Sequence, residues 1–82
     1  MKHWYLYVLW CDDDTLYTGV TTDVRRRLSE HNHSPRGAKY TKSRRPVEMV
    51  YWERFEDRGS AQKAEYKFKQ LTREQKEKVI YD

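Results

Sequence analysis

One cysteine, two prolines and three glycines are all that 82 residues hold of these types. The lone Cys11 excludes an internal disulfide and matches a reducing compartment; in an apolar stretch it reads as core filler. Cysteine and histidine at zinc-finger spacing are absent. No apolar run approaches the roughly 18–20 residues of a membrane span. The amino terminus carries no apolar export segment ending in small residues. These absences lead to the expectation of a cytoplasmic chain with no membrane partner. A chain of 82 residues makes one domain, 1–82, and buries only about 60% of its unfolded surface. That leaves room for one core and one functional surface.

Acidic residues are scarce where basic ones gather. From Arg25 to Arg45 there are eight cations (Arg25, Arg26, Arg27, Arg36, Lys39, Lys42, Arg44, Arg45) and one acid, Glu30. This block carries +7, and the rest of the chain −3, within a net +4. A clustered positive field among aromatics points to a polyanion, and nucleic acid is the commonest one. The alternative is a solvated basic face that keeps the domain soluble. Between Arg36 and Arg45 the cations are interrupted by Gly37, Ala38, Tyr40 and Ser43. That pattern reads as a flexible collar that grips phosphates and reads no bases.

The aromatic and β-branched run "HWYLYVLWC" predicts a strand, "DDD" a turn and "TLYTG" a second strand paired with the first as a hairpin. Thr22 or Asp23 caps a helix from Val24 to about His33, ahead of Pro35. "SPRGAKYTKSRRP" is a polar connection with room for a short helical turn. "VEMVYWERF" alternates as a third strand. Ser60 caps a helix from Ala61 to about Leu71, and Thr72 caps a last short one. The order is ββαβαα, an α+β arrangement with a small sheet covered by helices.

Some side chains sit where a plain amphipathic helix would not place them. At 3.6 residues per turn, Arg27 and His31 fall beside the apolar stripe of Val24 and Leu28. Arg25 and Arg26 point away from it, as solvated charges do. On the next long helix Glu65 falls beside Ala64, Phe68 and Leu71. A buried carboxylate is costly unless paired or bound to metal. Glu65 is therefore an ion-pair partner of Arg27, a carboxylate at the edge of the stripe, or part of a site. Gly19, between Tyr17–Thr18 and the helix, is an ordinary turn glycine or allows a close approach. Tyr5, Tyr7 and Tyr17 are sheet aromatics or site residues.

Together "YLY" at 5–7, "LYTG" at 16–19, "RRRLSEH" at 25–31 and "AEYKF" at 64–68 resemble the GIY-YIG nuclease family, in its small single-domain group. The step of ten residues from Tyr7 to Tyr17, and again to Arg27, is similar to that family's spacing. The first motif has a tyrosine, Tyr5, in place of its glycine, and no asparagine follows Asn32, where larger members carry a late one. The resemblance implies a three-stranded antiparallel sheet with flanking helices. It also implies an endonuclease that hydrolyses DNA phosphodiester bonds with one Mg²⁺ or Mn²⁺ ion, in DNA repair or recombination. By position it implies Tyr7, Tyr17, Arg27, His31 and Glu65 as the catalytic set, Gly19 as a structural residue that turns the chain beside the sheet, and Glu65 as the metal ligand.

The residue types fit that chemistry. A hard dication takes one or two carboxylates and keeps several waters. Arg27 can bind phosphate with its fork and offset developing charge. Tyr7 is the candidate general base, with Arg27 and the metal expected to lower its ordinary pKa of about 10. His31 relays the proton, and Tyr17 orients water or phosphate. Arg25, Arg26, Arg36, Lys39, Lys42, Arg44 and Arg45 are the expected phosphate contacts of a monomer on DNA. Two alternatives belong to other classes: a nucleic-acid binder that does not cut, and an adaptor that supplies this fold to a protein partner in a repair assembly. Activity lost in Glu65→Ala with affinity kept marks the enzyme; protein capture that needs no nucleic acid marks the adaptor.

Overall fold

A computed structural model describes residues 3–82 of the chain. Three strands form one antiparallel sheet: β1 (Trp4–Cys11), β2 (Leu16–Thr21) and β3 (Val47–Phe55), in the order β2-β1-β3. The helices are α1 (Val24–His33), the single turn α2 (Lys39–Lys42), α3 (Arg58–Lys69) and α4 (Arg73–Tyr81). This is the expected α+β architecture, with the helical turn α2 inside the basic connection.

The central strand explains why β1 is apolar throughout. It is covered on both faces, so alternation is not needed. Tyr7, Leu9 and Cys11 pack on one face with Val47, Tyr17, Val24, Leu28 and Met49, beneath α1. Leu6 and Val8 pack on the other with Ala64 and Phe68 of α3, Leu71 of the connection after it, and Ile80 of α4. Each buried Leu or Phe of this kind contributes roughly 1.5–3 kcal/mol, which a domain this small needs. Cys11 is core filler, as expected.

Register places the site. Across the sheet Gly19 faces Tyr7 and Tyr7 faces Trp52, while Thr21 faces Tyr5 and Tyr5 faces Arg54. Directly opposed residues share a face. These two rows therefore lie on the α1 face, and Trp52 and Arg54 are exposed there. A bulge between Val8 and Leu9 shifts the β3 pairing, so Met49 meets Leu9.

Two local expectations change, at Gly19 and at the start of α3, and the choice of cap for α1 is settled. Gly19 is not at a turn: β2 continues through it to Thr21, and no glycine has positive φ among the described residues. The helix after β2 is capped by Asp23, whose carboxylate accepts the Arg26 N–H at 3.0 Å. α3 starts at Arg58, earlier than expected, because Asp57 and not Ser60 is its cap. The Asp57 carboxylate accepts the Ser60 N–H at 2.8 Å. Thr72 caps α4 in a reciprocal pair with Gln75.

Candidate active site

The site grows out of the row Gly19–Tyr7–Trp52. Tyr7 is buried, and its phenol leans across β2 over Gly19. A β-carbon at Gly19 would lie 2.6 Å from the Tyr7 hydroxyl oxygen and 2.8 Å from Cζ. The glycine is there for close approach of a side chain, and the expected turn role is corrected.

α1 then delivers His31 to the same phenol. The Asp23 cap fixes where α1 begins, and two helical turns later His31 is fully buried against the sheet. The Tyr7 hydroxyl and His31 Nε2 are 2.8 Å apart. His31 Nδ1 is 2.8 Å from the Thr41 hydroxyl, which donates to the Ala38 carbonyl at 2.9 Å. Tyr17 packs its ring edge-on to His31, with centroids 5.2 Å apart, and is 6.4 Å from the Tyr7 ring. Tyr40 stacks on Tyr17, and the Arg44 guanidinium lies over Tyr40 at 3.9 Å.

Arg27 is half-buried one turn before His31. One of its guanidinium nitrogens donates to Glu30 at 3.0 Å and to the Arg36 carbonyl at 2.8 Å. The expected asymmetry among the three arginines is observed: Arg25 and Arg26 are exposed.

Burial dominates the electrostatics. It pushes the Tyr7 phenol up to about 12, against the opposing pull of Arg27. Arg27 does pull this pKa down, as expected, but desolvation of the phenolate outweighs one guanidinium and the phenol ends above its ordinary value. Burial also brings His31 down to about 4, and the Arg27 and Arg45 cations add to that fall. At neutral pH the pair is a neutral phenol and a neutral imidazole.

Glu65 is the expected site residue that the structure leaves out of contact. α3 packs Ala64 and Phe68 on the sheet face opposite Tyr7, and Glu65 stands at the edge of that stripe. Its charge still reaches the Tyr7 phenol, adding to the rise in its pKa. The expected alternative of an ion pair with Arg27 does not form. Glu65 pairs with Lys69 at 3.1 Å, and Arg27 with Glu30. An i,i+4 pair with a half-exposed lysine contributes only about 0.3–0.5 kcal/mol, so it holds the Glu65 carboxylate weakly. No group of three or more His, Cys, Asp or Glu that could hold a metal occurs among the described residues. One partly buried carboxylate fits a hydrated magnesium-type ion completed by substrate phosphate, and does not fit a protein-enclosed zinc.

The basic connection is not the free collar that its composition predicts. Arg45 donates to the carbonyls of His31, Ser34 and Glu30, tying down the end of α1. Arg44 pairs with Asp13 at 2.8 Å and donates to the Tyr40 carbonyl. Of the expected phosphate contacts, Arg25, Arg26, Arg36, Lys39 and Lys42 face solvent; Arg44 and Arg45 are committed to the fold. Asn32 closes the other side, exchanging two hydrogen bonds with the Val47 backbone at 2.7 and 3.0 Å.

Two residues escape sequence reasoning. Thr41 looks like a linker residue until α2 seats it, fully buried, against His31. Trp52 reads as a sheet aromatic until register sets it beside Tyr7 with 56% of its surface exposed. Strand alternation counted back from Phe55 was the one signal available for Trp52.

The chain resembles known proteins over nearly its whole length. It is 51% identical over 77 residues to a UPF0213 protein from Desulfotalea psychrophila, an alignment covering 94% of this chain and 70% of that one. A UPF0213 protein from Natronomonas pharaonis is 50% identical over 78 residues, covering 95% and 91%. The solution structure of an Enterococcus faecalis protein matches with a TM-score of 0.67 and 52% identity, over 98% of this chain and 84% of that one. That of a UPF0213 protein from Bacillus halodurans matches with a TM-score of 0.61 and 42% identity, over 95% and 82%. The model of the GIY-YIG catalytic domain matches residues 3–78, and the chain belongs to the GIY-YIG family.

Proposed function

We propose that the protein is an endonuclease that hydrolyses phosphodiester bonds, with DNA as its substrate. The observation that carries this reading is the convergence of Tyr7, Tyr17, His31 and Arg27 from three elements onto one sheet face. A buried Tyr–His hydrogen bond is replaceable by apolar groups of the same shape at little cost in stability, so its presence beside a half-buried arginine supports a functional role.

The residues divide the work as follows. Arg27 takes a non-bridging phosphate oxygen and offsets the charge that builds there. Tyr7 accepts the proton of the attacking water as its own moves to His31 Nε2, so no free tyrosinate forms. This matters because a phenol near 12 is almost never ionised at pH 7. Phosphate bound at Arg27 also cancels one of the cations that holds the His31 pKa down, so substrate improves the base. Tyr17, packed against His31, holds water or phosphate by its hydroxyl. Glu65 would hold one Mg²⁺ or Mn²⁺, which supplies Lewis-acid stabilisation of the phosphate and the leaving oxygen. Arg25, Arg26, Arg36, Lys39 and Lys42 grip flanking phosphates. We place this monomer in the cytoplasm, in DNA repair or recombination.

A second reading has one observation in its favour: the lone carboxylate Glu65 is already occupied by Lys69. On that reading the domain grips nucleic acid without cutting it. The test is a cleavage panel of branched, duplex and single-stranded DNA with Mg²⁺ or Mn²⁺. Turnover by the wild type, lost in Glu65→Ala with affinity retained, supports the endonuclease. Binding without metal-dependent turnover on any substrate supports the binder.

A further inference from the structure

Two arrangements of protons satisfy the chain Tyr7–His31–Thr41–Ala38. In one, the Thr41 hydroxyl donates to Ala38, His31 carries its proton on Nδ1 and donates it to Thr41, and Tyr7 donates to the bare Nε2. In the other, Thr41 donates to Nδ1, His31 carries its proton on Nε2 and donates it to the Tyr7 oxygen, and the phenol proton points outward. They differ in what the phenol offers a water molecule. The first presents an oxygen lone pair that can take a proton. The second presents a proton, and no base.

The surroundings of Thr41 discriminate. Thr41 is fully buried on α2, its oxygen 2.8 Å from Nδ1 and 2.9 Å from the Ala38 carbonyl. A carbonyl can only accept, and a hydroxyl has one proton to give. The same carbonyl also receives the Thr41 and Lys42 N–H groups at 3.1 and 3.2 Å, both longer than the hydroxyl contact. With its proton on Ala38 the hydroxyl satisfies both short contacts, its lone pair facing Nδ1; with its proton on Nδ1 the 2.9 Å contact to the Ala38 oxygen would hold no proton. Tautomers are set in this way by the partner of the second ring nitrogen.

We propose that Thr41 is a positioning residue that fixes His31 as the Nδ1–H tautomer and so directs protons from Tyr7 toward the protein interior. Its role in turnover rests on the hydrolytic reading above; the tautomer does not. Thr41 touches neither water nor phosphate, and it acts through His31.

Long-range ¹H–¹⁵N correlation of the His31 ring at pH 7, on the full chain, tests this directly. The wild type should show a protonated Nδ1 and a bare Nε2. Thr41→Ser keeps the hydroxyl and should keep that pattern, and Thr41→Val should lose it. A wild type with its proton on Nε2 overturns the proposal, whether or not Thr41→Val folds. An unchanged ring pattern in folded Thr41→Val overturns it too. In the cleavage assay, kcat at saturating DNA should fall by about a hundredfold in Thr41→Val and recover in Thr41→Ser, with KM nearly constant. If the ring spectra behave as stated and the wild type cuts nothing, the tautomer assignment stands and the hydrolytic reading falls.

Discussion

The Tyr7 phenol lies directly over Gly19, so close that a single methyl group on the glycine would meet the hydroxyl oxygen at 2.6 Å. This contact couples strand composition to the proposed chemistry. Gly19→Ala has no open space to fill, and Tyr7 must move. The cost expected for such overpacking is about 1–3 kcal/mol, read by urea unfolding. The displaced phenol also leaves its bond with His31, so cleavage should fall by more than the loss of folded protein explains. Gly59 is the control. A β-carbon there would lie 3.5 Å from the Asp57 carboxylate, an ordinary contact, so Gly59→Ala should be neutral or stabilise by up to about 1 kcal/mol.

Much of this was legible in the sequence, and the reasons are local. Strands announce themselves by β-branched and aromatic runs, and caps by Asp23 and Thr72, so element order and most boundaries follow. The helical wheel found Arg27 and His31 because a charged residue beside an apolar stripe is visible without coordinates. For Gly19 the sequence left close approach and an ordinary turn both open, because a strand glycine and a turn glycine look alike until register sets Tyr7 opposite. The split within the basic segment was hidden for a related reason. Arg45 and Lys42 differ only in which carbonyls happen to lie within reach. The direction of the Tyr7 pKa needed burial, which composition does not report.

His31 makes stability depend on pH. Its unfolded pKa is 6.5 and its folded value about 4, so between these the unfolded chain holds more protons. Stability is therefore complete above about pH 6.5 and is lost as pH falls toward 4, by up to roughly 3 kcal/mol. Urea unfolding at pH 7 and pH 4.5 should show the drop. His31→Gln cannot titrate, so it should start less stable at pH 7 and lose clearly less on acidification. An equal loss in both proteins would remove His31 as the cause. Tyr7 acts at the alkaline end. Its stabilisation is complete below pH 10 and fades as pH rises toward 12.

The three arginines of α1 should separate kinetically. Arg27 is half-buried beside the Tyr–His pair, whereas Arg25 and Arg26 face solvent. At saturating DNA, Arg27→Ala should lower turnover by about 10²–10³-fold, as removal of a transition-state donor does. Arg25→Ala and Arg26→Ala should raise KM and leave kcat nearly unchanged. Equal loss of kcat in all three would falsify the distinction of faces.

Salt dependence should separate the cations proposed to grip phosphate from those that hold the fold. Arg36, Lys39 and Lys42 are exposed and make no ion pair among the described residues. Arg45, in the same segment, is spent on three carbonyls at the end of α1. Each neutralised phosphate adds roughly −0.9 to the slope of log affinity against log salt on duplex DNA. Replacing Arg36, Lys39 and Lys42 together by alanine should therefore flatten the slope by about two to three, with melting unchanged. The loss should be alike on unrelated sequences, since phosphate contacts carry no base information. Arg45→Ala should do the reverse. It takes a donor from part-buried carbonyls, so it should cost about 1 kcal/mol or more of stability while the slope holds. Titrations by fluorescence anisotropy from 50 to 300 mM salt, beside urea unfolding of the same variants, decide the matter. If Arg45→Ala flattens the slope as much as the triple variant does, then Arg45 leaves its carbonyls for phosphate, and the division drawn within this segment fails.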